Sequence, residues 1–534
     1  MMGHAGRSFV ALASERMRRI VVPAALRKPV RAEPIVLRPP IDESHDHRIC
    51  GPIDRVGGIV QLIRCPQDHL SGISIQFGIH CRPQEIPLVV ELFAIDEAQF
   101  GSPAWPDLGT DALASSTILP GDLIDAEYHH VYFQNFPDSK DRLFALRVTS
   151  PEIGDHESPT IFVSRGADRI AGHGGLHTRD GLFVSHGLKA NLIFGSPEPR
   201  ASAPPGLLYS PLTSCNMNCT HCISRHSRKR AVRMSSAIKD EIKSLVSAGK
   251  ISWMFTDYSG DLLFADHKKP GELDYVTGLG IAVHIDTNGA YLTDERIDKI
   301  MASKVDAVSI SIDAATDETY QTIRIGAPHL DTIFDAAARL VDARARHGRE
   351  RTLAISVGFT LMMSNIHELP LFVERAARAG VDSIGCRHLE VYHAPMQAES
   401  LIHAPERFNA MRREALALAA TLGVRLNIGE EFRDRPGRGS PQPCLLPWDT
   451  ATVLANGDVM ACCVPGAKIG SLTEDTLEGI WTGERYRRLR TRINSNDPPA
   501  LCRSCQFRNA VNRYGTHNSL NRDGIPTATF DDDL

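Results

Sequence analysis

The sequence predicts an α/β protein: a partial or full TIM-like (β/α) barrel, preceded by an all-β sandwich domain and followed by a small Cys-rich, metal-stapled domain. Three observations predict it. Strand-like and helix-like segments alternate six or seven times between Leu207 and Ile428. Before them, from about Ile49 to Phe194, short β-rich runs follow one another with no sustained helical period. After them, Cys444, Cys462, Cys463, Cys502 and Cys505 crowd into a loop-rich stretch. At 534 residues the chain is too long for one core, since domains hold about 100–200 residues.

The N-terminal segment, 1–45, is basic and is expected to be poorly ordered. Its longest apolar run, Phe9 to Ala13, is too short for a signal-peptide core. In the next region, 46–200, the runs Gly72–Gly78, Pro87–Ala94 and Arg142–Val148 carry β-branched and aromatic residues between Gly, Pro, Asp and Ser turns. Such strands without intervening helices predict an antiparallel sandwich. The Pro-rich stretch Gly195–Gly206 reads as a linker with few contacts across it, so the sandwich is expected to fold separately.

From 205 to 430 the period changes. Strands are expected at Leu207–Ser210, Ile251–Tyr258, Ala282–Asp286, Ala307–Ile312, Leu353–Phe359, Ser383–Arg387 and Val424–Ile428. Amphipathic helices fall between them at Ser236–Ser247, Thr293–Ser303, Thr332–Arg346, Ile366–Ala379 and Glu406–Leu422. This alternation means a parallel sheet covered by helices, with chemistry at the carboxyl ends of its strands. The stretch 431–516 shows one short helix pattern, near Thr476–Ile480, and is too irregular to hold together by apolar burial alone. Residues 517–534 read as a tail.

Composition narrows the function. Hydrophobic residues at 42% and charged residues at 23% are ordinary globular values, and a net charge of −5 gives no polycationic field for nucleic acid. No apolar run approaches the roughly 18–20 residues that span a bilayer. A soluble, cytoplasmic protein is expected. Clustered thiols without an export signal point to metal or catalysis rather than cystine. The scattered Cys50, Cys65, Cys81 and Cys386 read as small buried hydrophobes.

The sharpest motif is Cys215-Asn-Met-Asn-Cys219-Thr-His-Cys222, just after the first strand of the alternating region. Its spacing puts three thiolates on one tight loop, enough for three corners of a cubane with the fourth iron left open. Zinc completed by His221 or His226 has compatible spacing and stays open at this point. The run Arg225, Arg228, Lys229, Arg230 reads as a solvated face. His388 and Glu390, at the end of the sixth strand, are acid/base candidates facing a substrate.

The three-cysteine loop resembles the signature of the radical S-adenosylmethionine (SAM) superfamily. Further motifs follow in the family's order. Tyr258-Ser259-Gly260-Asp261-Leu262 is similar to the Gly-Gly-Glu-Pro motif, and Asp286-Thr287-Asn288-Gly289 to the Thr-Asn-Gly turn. Val308-Ser309-Ile310-Ser311-Ile312-Asp313, with Tyr320 and Arg324, is similar to the Ser-x-Asp strand and its downstream Arg. The resemblance covers Leu207 to Ile428. It implies a 4Fe–4S cluster on Cys215, Cys219 and Cys222, and SAM held by His221, Ser259, Gly260, Asp261, Thr287, Asn288, Ser311, Asp313 and Arg324. Two positions depart from the pattern: His221 stands where an aromatic residue is usual, and Asp261 with Leu262 replaces Glu-Pro.

Cys444, Gly457, Cys462, the Lys468-Ile-Gly-Ser-Leu472 run, Trp481 and Cys502-Arg-Ser-Cys505 resemble the SPASM extension, an auxiliary-cluster domain. No cysteine follows Cys505, so the resemblance implies one auxiliary 4Fe–4S cluster on Cys444, Cys462, Cys502 and Cys505, with Cys463 spare; a zinc ribbon stays open on spacing. The family's chemistry implies reductive cleavage of SAM to a 5′-deoxyadenosyl radical, hydrogen abstraction from a substrate carbon, and a reductant such as flavodoxin or ferredoxin. The substrate is expected to be a small molecule, a sugar or a peptide. The sandwich, with its Phe133–Ser139 segment, resembles accessory β-domains beside enzymes of bacterial surface-sugar assembly. Peptide or protein maturation by a crosslink or epimer is the alternative, and a non-catalytic scaffold with clusters as staples is a third.

Overall fold

The computed structural model describes residues 47–50, 53, 58–79, 84–150, 159–164, 169–178, 181–225, 231–256, 259–392, 394–432, 439–503, 505, 507–508 and 529–534. The basic segment 1–45, and with it Cys81, His226, Arg228, Lys229, Arg230 and Tyr258, lies outside the described residues, as does the stretch 509–528.

Two antiparallel six-stranded sheets form the first unit. One runs His47–Cys50, Thr160–Ser164, Leu70–Gly78, Ala190–Phe194, with Gly187–Leu188 and Tyr128–Phe136 paired beside this path. The other runs Gly181–Phe183, His173–Thr178, Ile59–Arg64, Leu143–Thr149, Leu88–Ala94, Ala114–Ile118. Alternate residues Ile73, Ile75 and Phe77 of the first and Phe144, Leu146 and Val148 of the second are buried in one core. That is sandwich packing, set by the period of two.

The second unit is one ten-stranded sheet. We number its strands in chain order: β1 (Gly206–Ser210), β2 (Trp253–Thr256), β3 (Ala282–Thr287), β4 (Val305–Ser311), β5 (Ala354–Leu361), β6 (Ser383–His388), β7 (Arg425–Asn427), β8 (Thr450–Leu454), β9 (Asp458–Met460) and β10 (Lys468–Ser471). Strands β1 to β7 are parallel neighbours in order. β8 pairs parallel with the outer side of β1, and β9 and β10 continue it antiparallel. The sheet is open: among the described residues β7 pairs only with β6, so full barrel closure does not occur. The cysteine-rich stretch is joined to the α/β unit through β8 and extends the same sheet.

One face of the sheet is packed and the other is not. Val308, Ile310, Ile355, Val357, Phe359 and Ile384 are all at most 1% exposed, and Phe359 meets Phe372 of the helix Leu369–Arg378 with ring centres 4.7 Å apart. Their neighbours Ser309, Ser311, Ser356, Gly358, Thr360 and Gly385 are half-buried, and Arg387 is exposed. At the amino ends this helix-free face is floored by Trp253, whose ring lies on Gly206; a Cβ there would meet it at 1.9 Å. The face is therefore small, polar and accessible above an aromatic floor, unlike the filled interior of a closed barrel.

The Pro-rich stretch is not a free linker. Trp448 Nε1 donates to the Ser196 carbonyl at 3.0 Å and Trp481 Nε1 to the Ala201 carbonyl at 3.0 Å. Arg487 pairs with Glu198 at 2.9 Å, and Ala203 is fully buried. Two indoles anchored on its carbonyls tie the sandwich to the C-terminal helices. The stretch 529–534 is docked as well. Phe530 is 1% exposed and its N–H donates to the Gly466 carbonyl at 3.0 Å, while Asp531 and Asp533 pair with Arg485 and Arg492.

Candidate functional site

The three-cysteine loop leaves the carboxyl end of β1 and is strapped down on two sides. On one, the N–H groups of Asn218 and Thr220 donate to the carbonyls of Ile325 and Ile323 at 2.8 and 2.9 Å. On the other, Asn288, just past β3, donates from Nδ2 to Asn216 Oδ1 at 2.9 Å and lies 3.5 Å from Cys215 Sγ. Cys219 is buried; Cys215 and Cys222 are partly exposed. An amide N–H aimed at a cysteine sulfur suits a thiolate ligand, because hydrogen bonds to the sulfurs tune such clusters.

The loops after β1 and β2 touch. Gly260 is where they meet, since a Cβ there would lie 2.2 Å from the Leu212 carbonyl oxygen. Ser259 and Ser210 exchange a short hydroxyl–hydroxyl hydrogen bond. Asp261 caps the helix Leu262–Lys268, Oδ1 accepting from Phe264 N–H at 2.9 Å. Its Oδ2 accepts from Thr287 Oγ1 at 2.9 Å and Asn288 N–H at 2.8 Å. Burial raises its pKa against these donors. Asp261 is thus first a brace between two strand ends, and with about four acceptor positions on a carboxylate it keeps capacity for a further donor.

The β4 end supplies a buried charge cluster. Ser311 Oγ donates to Asp286 Oδ1 at 3.1 Å. Asp313 sits at φ +68°, a left-handed conformation that Asp tolerates better than most residues. Its Oδ2 accepts from Arg324 Nε and Nη2 at 2.9 and 2.6 Å, and its Oδ1 from Thr360 N–H at 2.7 Å. His221 Nε2 lies 3.2 Å from the same Oδ2. Burial opposes the Asp313 charge, but Arg324, His221 and the Thr360 N–H together outweigh it and hold the carboxyl below its ordinary value. Burial pushes His221 down to about 4, with Asp313 opposing and Arg324 and Arg387 adding to the drop. The imidazole is neutral at pH 7, with Nε2 facing the Asp313 carboxylate. His221 therefore sits against the buried charge cluster.

At β6 the structure corrects one expectation. His388 lies on the helix side, its ring 4.6 Å from that of Phe408 and 5.0 Å from that of Phe432, so it does not face a substrate on the open face. Strand alternation gives that place to Arg387, which sequence reasoning missed. The apolar Ile384 and Cys386 flanking it at a period of two were the available signal. Glu390 accepts from the Tyr392 hydroxyl, and its charge is felt at Cys463 and Cys505. It lies on the side of the C-terminal cysteines.

Those cysteines converge. Cys444, Cys462, Cys463, Cys502 and Cys505 line one cavity with Arg508 beside them. Asn494 clasps Cys444, accepting from its N–H at 2.9 Å and donating to its carbonyl at 2.8 Å. Burial pushes all five thiols up, Cys444 to about 11. Buried thiols so close together need a metal to deprotonate them. Cysteine thiolates are the usual ligands of iron–sulfur clusters, and five cysteines around one cavity fit that donor set.

Residues 209–383 match the model of the radical SAM superfamily, and residues 444–506 match that of the SPASM iron–sulfur cluster-binding domain. The chain belongs to the radical SAM superfamily. It is an enzyme of that chemistry, its cofactors are SAM, a 4Fe–4S cluster and an auxiliary iron–sulfur cluster, and a SPASM domain lies at its C-terminal end.

Several known proteins are similar to this radical SAM chain. The AdoMet-dependent heme synthase of Methanosarcina barkeri is 25% identical over 343 residues, 58% of this chain and 90% of that protein. The mycofactocin maturase MftC of Mycobacterium tuberculosis is 26% identical over 179 residues, 33% of this chain and 43% of that one. Among solved structures, Streptococcus suis SuiB bound to S-adenosylmethionine aligns at 14% identity and TM-score 0.42, over 58% of this chain and 72% of that chain. No described helix is long and apolar enough to cross a membrane.

Proposed function

We propose that this radical SAM enzyme oxidatively modifies a peptide or carbohydrate-related substrate that carries an anionic group and lies on the helix-free face of the sheet. The observation that carries this is the placement of Arg387. It is an exposed cation on the face that also carries Ser309, Ser311, Ser356, Thr360 and, bonded to Ser311, Asp286, above the Trp253 floor. A guanidinium there favours a carboxylate or phosphate, and the hydroxyls favour a hydrogen-bonding substrate. In this reading the sheet curls as a partial barrel around that face.

When bound, the first cluster and SAM supply a 5′-deoxyadenosyl radical that takes a hydrogen atom from carbon. The chain's own residues do the rest. Cys215, Cys219 and Cys222 hold the first cluster, and Asn288 donates to the Cys215 sulfur. Ser259, Gly260, Asp261, Thr287, Asn288, Ser311, Asp313, Arg324 and His221 form the wall against which SAM is oriented, with Asp261 keeping acceptor capacity for its ammonium. Cys444, Cys462, Cys502 and Cys505 would hold the auxiliary cluster, which would supply an acceptor for the electron left on the substrate. Glu390, whose charge is felt at the C-terminal cysteines, would take the accompanying proton at its carboxylate. Flavodoxin or ferredoxin is the reductant. The maturase name of one relative favours peptide over sugar as the second reading.

The test is ligand binding to the reconstituted enzyme with SAM present. Glucose 6-phosphate and a tetrapeptide with a free carboxylate serve as probes for the two classes. At least one binds, and Arg387→Ala weakens it about tenfold or more, as a lost charge-assisted contact does. Binding of both probes unaffected by Arg387→Ala would remove the anion from the reading.

A further inference from the structure

Arg508 is a buried cation that pairs with no carboxylate among the described residues. It is 3% exposed. Its Nε donates to the Gln442 carbonyl at 3.0 Å and its Nη1 to the Cys502 carbonyl at 3.4 Å. Among the described residues, Tyr132, Cys502, Cys444 and Cys505 interact with its charge. A buried guanidinium is costly unless a negative charge compensates it. Neutral thiols cannot do that. The thiolates of an iron–sulfur cluster can, and their net negative charge grows by one when the cluster takes an electron.

The sandwich holds this cation in place. The Arg508 guanidinium carbon lies 5.6 Å from the centre of the Tyr132 ring. Tyr132 OH donates to the Pro441 carbonyl at 2.7 Å, and the next residue, Gln442, clasps Arg508, its N–H donating to the Arg508 carbonyl at 2.6 Å. His130 N–H donates to Ser440 Oγ at 2.6 Å, His130 Nε2 lies 3.0 Å from Gln442 Oε1, and Gly439 N–H donates to the Asp122 carbonyl at 2.9 Å. One segment, 439–442, is fastened to the sandwich on one side and to Arg508 on the other.

We propose that Arg508 is a positioning residue of the auxiliary cluster, its buried charge favouring the reduced state and so raising the reduction potential, and that the sandwich domain fixes this charge through Tyr132. This rests on the reading that the C-terminal cysteines hold that cluster. One electron enters the cluster, from the substrate radical in turnover, the substrate's proton going to Glu390, or from dithionite in the test; no bond at the cluster changes with it. Electrostatics near a cluster are among the terms that set its potential.

The experiment uses the full chain with Cys215, Cys219 and Cys222 changed to Ala, so that the auxiliary cluster alone gives a paramagnetic signal, titrated with dithionite. Arg508→Gln makes reduction at least tenfold less favourable, a negative shift of about 59 mV for one electron. Arg508→Lys and Tyr132→Phe shift the midpoint in the same direction by less. An unchanged midpoint in Arg508→Gln with about four irons retained overturns the proposal. Should Arg508→Gln lose its iron, an unchanged midpoint in both Arg508→Lys and Tyr132→Phe overturns it. No iron in the Arg508-intact parent would instead sink the reading of the cysteine site.

Discussion

His221 Nε2 lies 3.2 Å from Asp313 Oδ2, the same oxygen that Arg324 grips with two N–H groups. The contact joins the residue just before Cys222 to the turn after β4. It makes the three-cysteine loop part of a buried charge cluster rather than a free surface turn.

Removing that contact loosens the loop. His221→Leu keeps the volume but not the polar edge, and the first cluster's iron is released to a chelator about 10–100-fold faster, the range for partners that orient metal ligands. His221→Gln, which keeps a polar group there, restores most of the retention. Equal release rates in wild type and His221→Leu would show that the contact does not hold the loop.

Asp261 braces as well as binds, so its two roles separate by substitution. Asp261→Ala removes a helix cap, at about 0.5–2 kcal/mol, and leaves the buried Asn288 N–H and Thr287 hydroxyl unsatisfied, at about 1–3 kcal/mol. Thermal unfolding falls accordingly. Asp261→Asn keeps one acceptor and part of the stability but loses the carboxylate, so calorimetry shows weakened SAM binding in both. Intact SAM affinity in the Asn variant would leave Asp261 purely structural.

Much of this was legible in the chain. Strand–helix alternation located β1 to β7 to within about two residues but not β8, which is also parallel to β1, and the helix Ser236–Ser247 agrees at both ends. The helix Glu484–Ile493 was missed because it carries five arginines. One of them, Arg490, is buried between the rings of Trp481 and Tyr486, 4.5 and 4.7 Å from their centres, and donates to the Pro447 carbonyl at 2.9 Å. A charged residue acting as core has no periodic signature. The prolines of 195–206 read as a linker for the same reason: that Trp448 and Trp481 bond to its carbonyls is decided by tertiary packing. At the site, motif order brought the loops together on paper, but only coordinates show Asp313 and Arg324 bonded to each other, and His388 turned to the helices.

Asp306 gives a pH test away from both sites. It is 8% exposed, neither carboxylate oxygen has a hydrogen-bond partner among the described residues, and burial pushes it up to about 7. With the folded pKa above the unfolded one, the native state binds more protons between about pH 4 and 7. Stability from this residue is present at low pH and is lost as pH rises through 7. Asp306→Asn is therefore more stable than wild type at pH 8 by about 1–3 kcal/mol, and the gain disappears near pH 4. A gain independent of pH would mean that the carboxyl does not titrate there.

Five cysteines line the second cavity and a cubane takes four. Cys462→Ala lowers the iron content by about four per chain, whereas Cys463→Ala leaves about eight. The reverse pattern would exchange their roles.

The most direct measurement is 5′-deoxyadenosine released from SAM by the anaerobically reconstituted, dithionite-reduced chain and two sets of variants. The wild type, holding about eight irons, releases it. The Cys215, Cys219, Cys222→Ala variant keeps about four irons and releases none, and the Cys502, Cys505→Ala variant releases some. Release from the loop variant equal to wild type, or none from a fully loaded wild type, would contradict the assignment of SAM cleavage to the three-cysteine loop.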